Sequence, residues 1–254
     1  ATLLPEVTQV ACCDTSFHRT QDRLAQLFAL PRELTDSGII RYGFHGLSYD
    51  YIAGVLPEHS DRAAGRVVVA HLGAGASMCA LHKGASVATS MGFTALDGLM
   101  MGQRCGTIDP GVLLYLMDQR AMTVQQLSTL LYTRSGLLGV SGLSPDMAVL
   151  LASAAPAAKE AIALFCYRAA TELAALATAN GGLDAIVFTA GIGERSSVVR
   201  AAICDRLAWL GVILDPDANA ADATRISADT SAIDVLVIPT DEESVIAEAT
   251  RRWA

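Results

Sequence analysis

The sequence has no Cys-x-x-Cys pair and no stretch of lysine and arginine interleaved with aromatics. Nor does any uninterrupted apolar run reach the ~18 to 20 residues that span a bilayer. Cys12, Cys13, Cys79, Cys105, Cys166 and Cys204 are scattered, several of them within apolar runs where a free thiol simply packs. This excludes a cysteine-built structural metal site and points to a reducing compartment. A net charge of −8 gives no electrostatic reason to bind a polyanion, so neither a nucleic acid nor a membrane is expected as a partner. Internal repeats, low-complexity tracts and Pro- or Ser-rich linkers are also missing; the polar stretch "LPEHSDRAAG" (56–65) is the one connecting loop that stands out. The first residues carry no basic-then-apolar leader pattern, and the expected location is the cytoplasm. No Met opens the chain. It begins "ATLLPEVTQVACCDTSF", in which Val7 to Cys13 reads as a strand with neighbours upstream, so a piece of a longer protein is expected.

What is present is apolar material: 52% of the 254 residues are hydrophobic, enough to fill one large core or two small ones. "RVVVAHL" (66–72), "ASMCALH" (76–82) and "ASVATSM" (85–91) are β-prone runs joined by "GAG" and Lys83-Gly84, which predicts an antiparallel meander. Helical stretches follow in "DPGVLLYLMDQ", "TVQQLSTLLYT" and 156–180, where Ala, Leu, Ile and Phe recur at i, i+3, i+4. The long helix ends at Asn180-Gly181-Gly182. A buried strand, "DAIVFTAGIG", then a helix from about Ser196 to Leu210, a buried strand, "DVLVIPT", and a final helix, "DEESVIAEATRRW", complete the chain. Three antiparallel strands, helices, strand, helix, strand, helix is the order of a ribonuclease H-like α/β unit, with a mixed sheet and flanking helices. Two such units facing each other form the nucleotide cleft of the sugar kinase, heat-shock ATPase and actin class.

Several residues suit phosphate chemistry. Gly73 and Gly75, at the tip of the first hairpin, let backbone N–H groups approach phosphate oxygens with no Cβ in the way. A dinucleotide-binding turn is excluded there, because no third glycine follows and the chain resumes as strand. Gly191-Ile192-Gly193 follow a buried strand, at a point where the chain can pass close to a ligand. Arg104, between Gly102 and Gly106, has room to reach inward toward a transferring phosphoryl group, or else serves in an ordinary surface ion pair. His45 in "RYGFHG" and His71 beside the glycine turn are phosphoryl hydrogen-bond donors or structural histidines. Asp14, after Cys13, either holds Mg²⁺ or caps a turn; Glu242 and Glu243 at a helix start pose the same choice.

"DTSFH", "RYGFHGLS", "VVAHLGAGASMCALHKG", "TSMGFTALDGLMMGQRCGTIDPG", "FTAGIGE" and "VIPTDEE" occur in this order from Asp14 to Glu243. This set closely resembles the acetate kinase family, including its propionate and butyrate kinase relatives. The resemblance implies Mg²⁺-dependent transfer of the γ-phosphoryl of ATP to acetate or another short-chain carboxylate, giving an acyl phosphate and ADP. It implies that Asp14 organises magnesium, that Arg104 and His45 steady the phosphoryl group, and that Glu242 acts on magnesium through water. His71, Gly73, Ala74 and Gly75 would line the phosphates. Gly191, Ile192 and Gly193 would touch adenosine, with Asp146 and Arg195 also on the nucleotide side. A homodimer is implied as well.

Departures from the family pattern are Ala74 for a usual Asn, Ala76 for Ser or Thr, Ala148 for Arg, Arg195 for Asn, and Tyr49 for a second His. Fewer side-chain donors at 74 and 76 imply weaker ATP affinity. The family's opening strand, its Asn-x-Gly-Ser-Ser turn and a further substrate arginine are not in this sequence. The domain expectation is therefore residues 1–15 as a remnant of an N-terminal lobe, 16–240 as the C-terminal nucleotide-binding domain with helical insertions, and 241–254 as a helix packing toward that lobe. Such a chain is expected to be inactive alone. The competing readings are a non-catalytic actin-like nucleotide-binding module and a sugar or polyol kinase, which would need a carboxylate base.

Overall fold

The computed structural model describes residues 7–253; residues 1–6 of the expected lobe remnant, and Ala254, lie outside them. Five strands form one mixed sheet: β1 (Arg66–Leu72), β2 (Ala76–His82), β3 (Ala85–Thr89), β4 (Ala185–Thr189) and β5 (Asp234–Val237), in the order β3-β2-β1-β4-β5. β1, β2 and β3 are antiparallel neighbours, while β4 pairs parallel with β1 and β5 parallel with β4. This is the ribonuclease H-like arrangement expected from the order of elements.

Both faces of the sheet are covered, which is why its strands read as continuous apolar runs. Val68, Ala70, Leu72, Ala76, Met78 and Ala80 pack in one core cluster with Phe165, Ala169 and Leu173 of the long helix Pro156–Ala179. By length and composition that helix could cross a bilayer. Here it lies against β1, β2 and β3 and forms the centre of the core. On the other face Val67, Val69, Cys79, Leu81 and Val187 pack with Tyr49 and Ile52 of the helix Gly46–Val55. The terminal helix Glu242–Arg251 rests against that same helix. All six cysteines are free thiols.

Four expectations are corrected. Val7–Cys13 forms no strand and pairs with none of the five, since β-branched composition makes a strand only where it packs against a neighbour. Gly191-Ile192-Gly193 do not end the strand, which stops at Thr189: the helix Ala190–Arg195 starts there and contains them. The helix expected over Ser196–Leu210 stops at Asp205, with a separate 3₁₀ turn at Ala208–Leu210. Ala76 is not a missing phosphate donor. It is fully buried in the long-helix cluster, where a methyl fits and a hydroxyl would need a partner.

The short helix after β4 is held from behind by Arg200, whose side chain is completely buried. Its Nη1 donates to the carbonyls of Gly193 and Glu194, both at 2.9 Å, Nε to Asn219 Oδ1 at 2.9 Å, and Nη2 to Asn219 O and Asp222 Oδ1. Truncating it leaves several of these acceptors unsatisfied. Arg200→Ala is expected to lower unfolding free energy by about 3 kcal/mol in urea titration; a loss below about 1 kcal/mol would show that Arg200 does not anchor this turn.

Candidate active site

The carboxyl ends of the parallel strands and the tip of the β1–β2 hairpin share one edge of the sheet, where α/β folds place ligands. A cleft of 740 Å³ opens there, lined by Gly73, Ala74, Gly75, Arg104, Asp146, Gly191, Ile192 and Arg195 among others. Eight of the residues singled out in the sequence therefore meet in a single cavity.

The hairpin tip uses its backbone economically. Gly73 N–H is occupied by Gly75 O at 3.0 Å, whereas the Ala74 and Gly75 amides have no partner among the described residues and remain available to an anion. Ala74 O accepts from Gly102 N at 3.1 Å, tying the hairpin to the loop that carries Arg104. That loop is itself pinned to the helical region, by Leu137 N–H to Met101 O at 2.8 Å and Cys105 N–H to Leu131 O at 3.1 Å. Arg104 thus comes from a braced loop: its Nη1 donates to Ala95 O at 2.7 Å, and its Nη2 lies 3.0 Å from the point a Cβ on Gly75 would occupy. No carboxylate pairs with Arg104 or Arg195 among the described residues. Two unpaired guanidinium groups facing one cleft suit a polyphosphate, and they do so in a chain whose net charge is negative.

His45 reaches the same place from the opposite face. Its backbone adopts the left-handed conformation, φ 57°, rare for a residue with a side chain, at the start of the helix Gly46–Val55. Its ring stacks on His71 at 4.2 Å between centroids, and its Nε2 lies 3.4 Å from the same hypothetical Cβ on Gly75. A Cβ at 75 would crowd the Arg104 guanidinium and touch the His45 ring, so glycine here leaves room between the cation and the imidazole. His45 Nδ1 bonds Ser77 Oγ at 2.8 Å, and His71 Nδ1 bonds Ser48 Oγ at 2.8 Å. Burial holds both rings neutral: it lowers His45 to about 4, with Asp14 opposing and Arg104 reinforcing the shift, and His71 to about 3, reinforced by His45.

Asp14 belongs to this group although no strand carries it. Its carbonyl oxygen packs so tightly on the Cα of Gly46 that a Cβ there would stand 1.9 Å away, which locks the Asp14 segment beside the His45 turn. Partial burial raises the Glu242 carboxyl, and the Asp14 charge adds to the effect, so the two carboxylates sense each other. Among the described residues no group of three or more His, Cys, Asp and Glu side chains could hold a metal. A pair of hard oxygen donors is instead the kind of site Mg²⁺ takes when it keeps several waters.

Asp146 lines the cleft but its Oδ1 accepts from the Ala148 and Val149 amides, capping the helix Met147–Leu151. Glu194 was not singled out in the sequence: its Oε1 accepts from Ala190 N at 2.7 Å and Thr240 N at 3.2 Å, fastening the turn after β4 to the chain after β5. The acid directly following Gly-Ile-Gly was its only signal. Ser77 and Ser48 were also missed. Their signal was the pleat, since His71 and Ser77 are register partners with side chains on the face that meets the helix Gly46–Val55.

The depressed histidines set a pH dependence. Above the ordinary value of 6.5 both states are neutral and stability is complete. Below it the unfolded chain takes up protons that the folded chain refuses until about 4 for His45 and about 3 for His71. Unfolding free energy is therefore expected to fall between pH 7 and pH 5, by up to about 1.4 kcal/mol per pH unit for each histidine. Urea titrations at pH 7, 6 and 5 check this, and no change across the window would contradict neutral burial.

Comparison with known proteins gives the same picture. The model of the "Acetokinase family" matches residues 1–248. The acetate kinase of Rhodopseudomonas palustris (strain TIE-1) is 60% identical over 258 residues, covering 100% of this chain and 65% of that protein. The acetate kinase of Methylocella silvestris is 56% identical over 247 residues, covering 97% of this chain and 61% of that protein. Among solved structures, the Porphyromonas gingivalis acetate kinase superposes with a TM-score of 0.92 at 36% identity, covering 99% of this chain and 65% of that one. A propionate kinase from Francisella tularensis does so at 0.92 and 39%, covering 99% and 66%. The chain thus spans a little under two thirds of the curated relatives it matches. With a matching family model along nearly its whole length and relatives of this identity, the chain belongs to the acetokinase family.

Proposed function

We propose that this chain is the nucleotide-binding portion of an acetate kinase, which transfers the γ-phosphoryl of ATP reversibly to acetate. The observation that carries the reading is the meeting of Arg104 Nη2 and His45 Nε2 at Gly75, beside two free hairpin amides. In the proposed reaction a carboxylate oxygen of acetate forms the new bond to the γ-phosphorus. The bond to the β–γ bridging oxygen breaks, and ADP departs with the electron pair. Acetate is already ionised, so no general base is needed and the protein's work is alignment and charge neutralisation. Arg104 neutralises the equatorial oxygens as charge spreads over them, and His45 donates a hydrogen bond from a neutral ring. The Ala74 and Gly75 amides hold the phosphate chain, with His71 supporting them. Gly191, Ile192 and Arg195 border the nucleoside side of the cleft, and Asp146 shapes it by capping the next helix. Asp14 and Glu242 fit Mg²⁺ by donor type and by the mutual repulsion that a cation would relieve. Magnesium held there would supply positive charge to offset that of the phosphates.

The domain reading is likewise a proposal: residues 1–15 as part of an N-terminal lobe, 16–240 as the nucleotide-binding domain and 241–254 as a helix near the lobe junction. So are the cytoplasmic location and the absence of turnover from this chain alone, half a cleft being unable to exclude water. The acyl chain length is open to propionate, a reading favoured by the likeness to the Francisella tularensis structure. A homodimer is supported by the helix Pro110–Gln119, which buries no residue and leaves Val112, Leu114, Tyr115 and Met117 exposed. Leu114→Glu is expected to shift a sedimenting dimer to monomer.

Hydroxamate trapping of acetyl phosphate tests the activity. The protein carrying this chain at its full length is expected to form acetyl phosphate from ATP and acetate. Arg104→Ala is expected to lower kcat about 100-fold or more. Absence of acetate-dependent ADP formation in the unsubstituted protein would overturn the reading.

A further inference from the structure

The hydroxyls behind His45 form a closed hydrogen-bond count. Tyr49 and Ser77 are both fully buried. Tyr49 Oη and Ser77 Oγ bond each other, and Ser77 Oγ bonds His45 Nδ1 at 2.8 Å. Among the described residues neither hydroxyl has another partner. Burial also keeps the Tyr49 phenol protonated, pushing it well above its ordinary value.

Three groups share two contacts, so the protons have few places to go. If His45 carried its proton on Nδ1 it would donate to Ser77, and one buried hydroxyl proton would then lack an acceptor. That proton belongs to Tyr49 if Ser77 donates to Tyr49, and to Ser77 if Tyr49 donates to Ser77. With the His45 proton on Nε2 the chain closes: Tyr49 O–H donates to Ser77 Oγ, and Ser77 O–H donates to His45 Nδ1. Every buried proton then has an acceptor. A buried hydroxyl left unsatisfied disfavours the alternative roughly 5- to 150-fold in population.

We propose that Ser77, bonded from behind by Tyr49, is a positioning residue that fixes His45 as its Nε2–H tautomer, aiming an imidazole N–H donor at the glycine hairpin. Ser77 sets which nitrogen of His45 carries the proton, and neither Ser77 nor Tyr49 needs to touch substrate. The assignment of the tautomer rests on this geometry alone; its value as a phosphoryl donor rests on the kinase reading.

Nitrogen-15 NMR of the histidine side chains in this 254-residue chain, at pH 7 and without nucleotide, reads the tautomer directly. Assignment of the His45 signals uses His45→Gln. The expected result is an unprotonated Nδ1 and a protonated Nε2 in the unsubstituted chain and in Ser77→Thr, which keeps the hydroxyl. Ser77→Ala is expected to give a mixture of tautomers. Tyr49→Phe is expected to keep the Nε2–H tautomer, because the Ser77 proton still has His45 Nδ1 as its one acceptor among the described residues, while the remaining spectrum stays that of the folded chain. A protonated Nδ1 in the unsubstituted chain overturns the proposal, as does a Ser77→Ala spectrum with the tautomer unchanged. In the full-length protein, Ser77→Ala is expected to lower kcat about tenfold with the KM for ATP changed less than twofold, and Ser77→Thr to restore it. Loss of kcat and structure together in Ser77→Ala, without a tautomer change, would mark a packing role and reject the proposal. Failure of phosphoryl transfer in the unsubstituted protein, with the tautomer as stated, would reject the kinase reading and leave the tautomer assignment standing.

Discussion

The structure depends on a sheet whose two faces are both closed. β1 is buried from Val67 to Leu72, with the long helix on one side and the helix Gly46–Val55 on the other. A strand in that position has no solvent-facing side on which to carry polar chemistry. Its functional groups have to emerge at its carboxyl end, where the parallel neighbour β4 also ends and the chain turns. The glycine hairpin, His71 and the turn after β4 share one edge for this reason, and the Arg104 loop is drawn there through the Gly102 to Ala74 hydrogen bond.

Burial near that edge divides the electrostatic work. The imidazoles of His45 and His71 are too desolvated to hold a proton at neutral pH, so they contribute directional hydrogen bonding and little charge. Positive charge comes from Arg104 and Arg195, which no carboxylate neutralises among the described residues. Guanidinium groups keep their charge where imidazoles lose it. In this arrangement the charge arrives at the cleft wall, on the Arg104 loop and at the end of the helix Ala190–Arg195, and the buried layer behind supplies fixed geometry.

The sequence revealed what local pattern dictates. The meander, the Gly-Ala-Gly turn and the long helix each announce themselves within a single window, and each lies where its pattern placed it. The helix Gly46–Val55 did not: Gly46 and Gly54 interrupt it, and its buried residues Tyr49 and Ile52 acquire meaning only against β1 and β2. Val7–Cys13 has the β-branched composition of a strand, but pairing needs a partner that none of the five strands supplies. Gly191 and Gly193 read as the end of the strand, with the helix beginning beyond them, because glycine disfavours helix. Arg200 and Glu194 overrule that preference by bonding the turn from both sides. The contacts that set the site's geometry join residues far apart in sequence, as His45 with Ser77 and Tyr49 with Ser77, and no window contains both partners.

The two alanines of the hairpin show where side chains matter there. Reading them together as lost donors treats the turn as a set of side chains presented to a ligand. The structure separates them: Ala76 faces the long-helix core, while Ala74 is exposed and its carbonyl is engaged by Gly102. What the hairpin offers an anion is main chain, the amides of Ala74 and Gly75, and those depend on turn geometry. Replacing a polar side chain by a methyl at 74 removes at most one adjustable contact at the cleft's surface. Adding a Cβ at 75 would instead crowd the Arg104 guanidinium and meet the His45 ring, so a change at this position acts on the two groups that the site brings together.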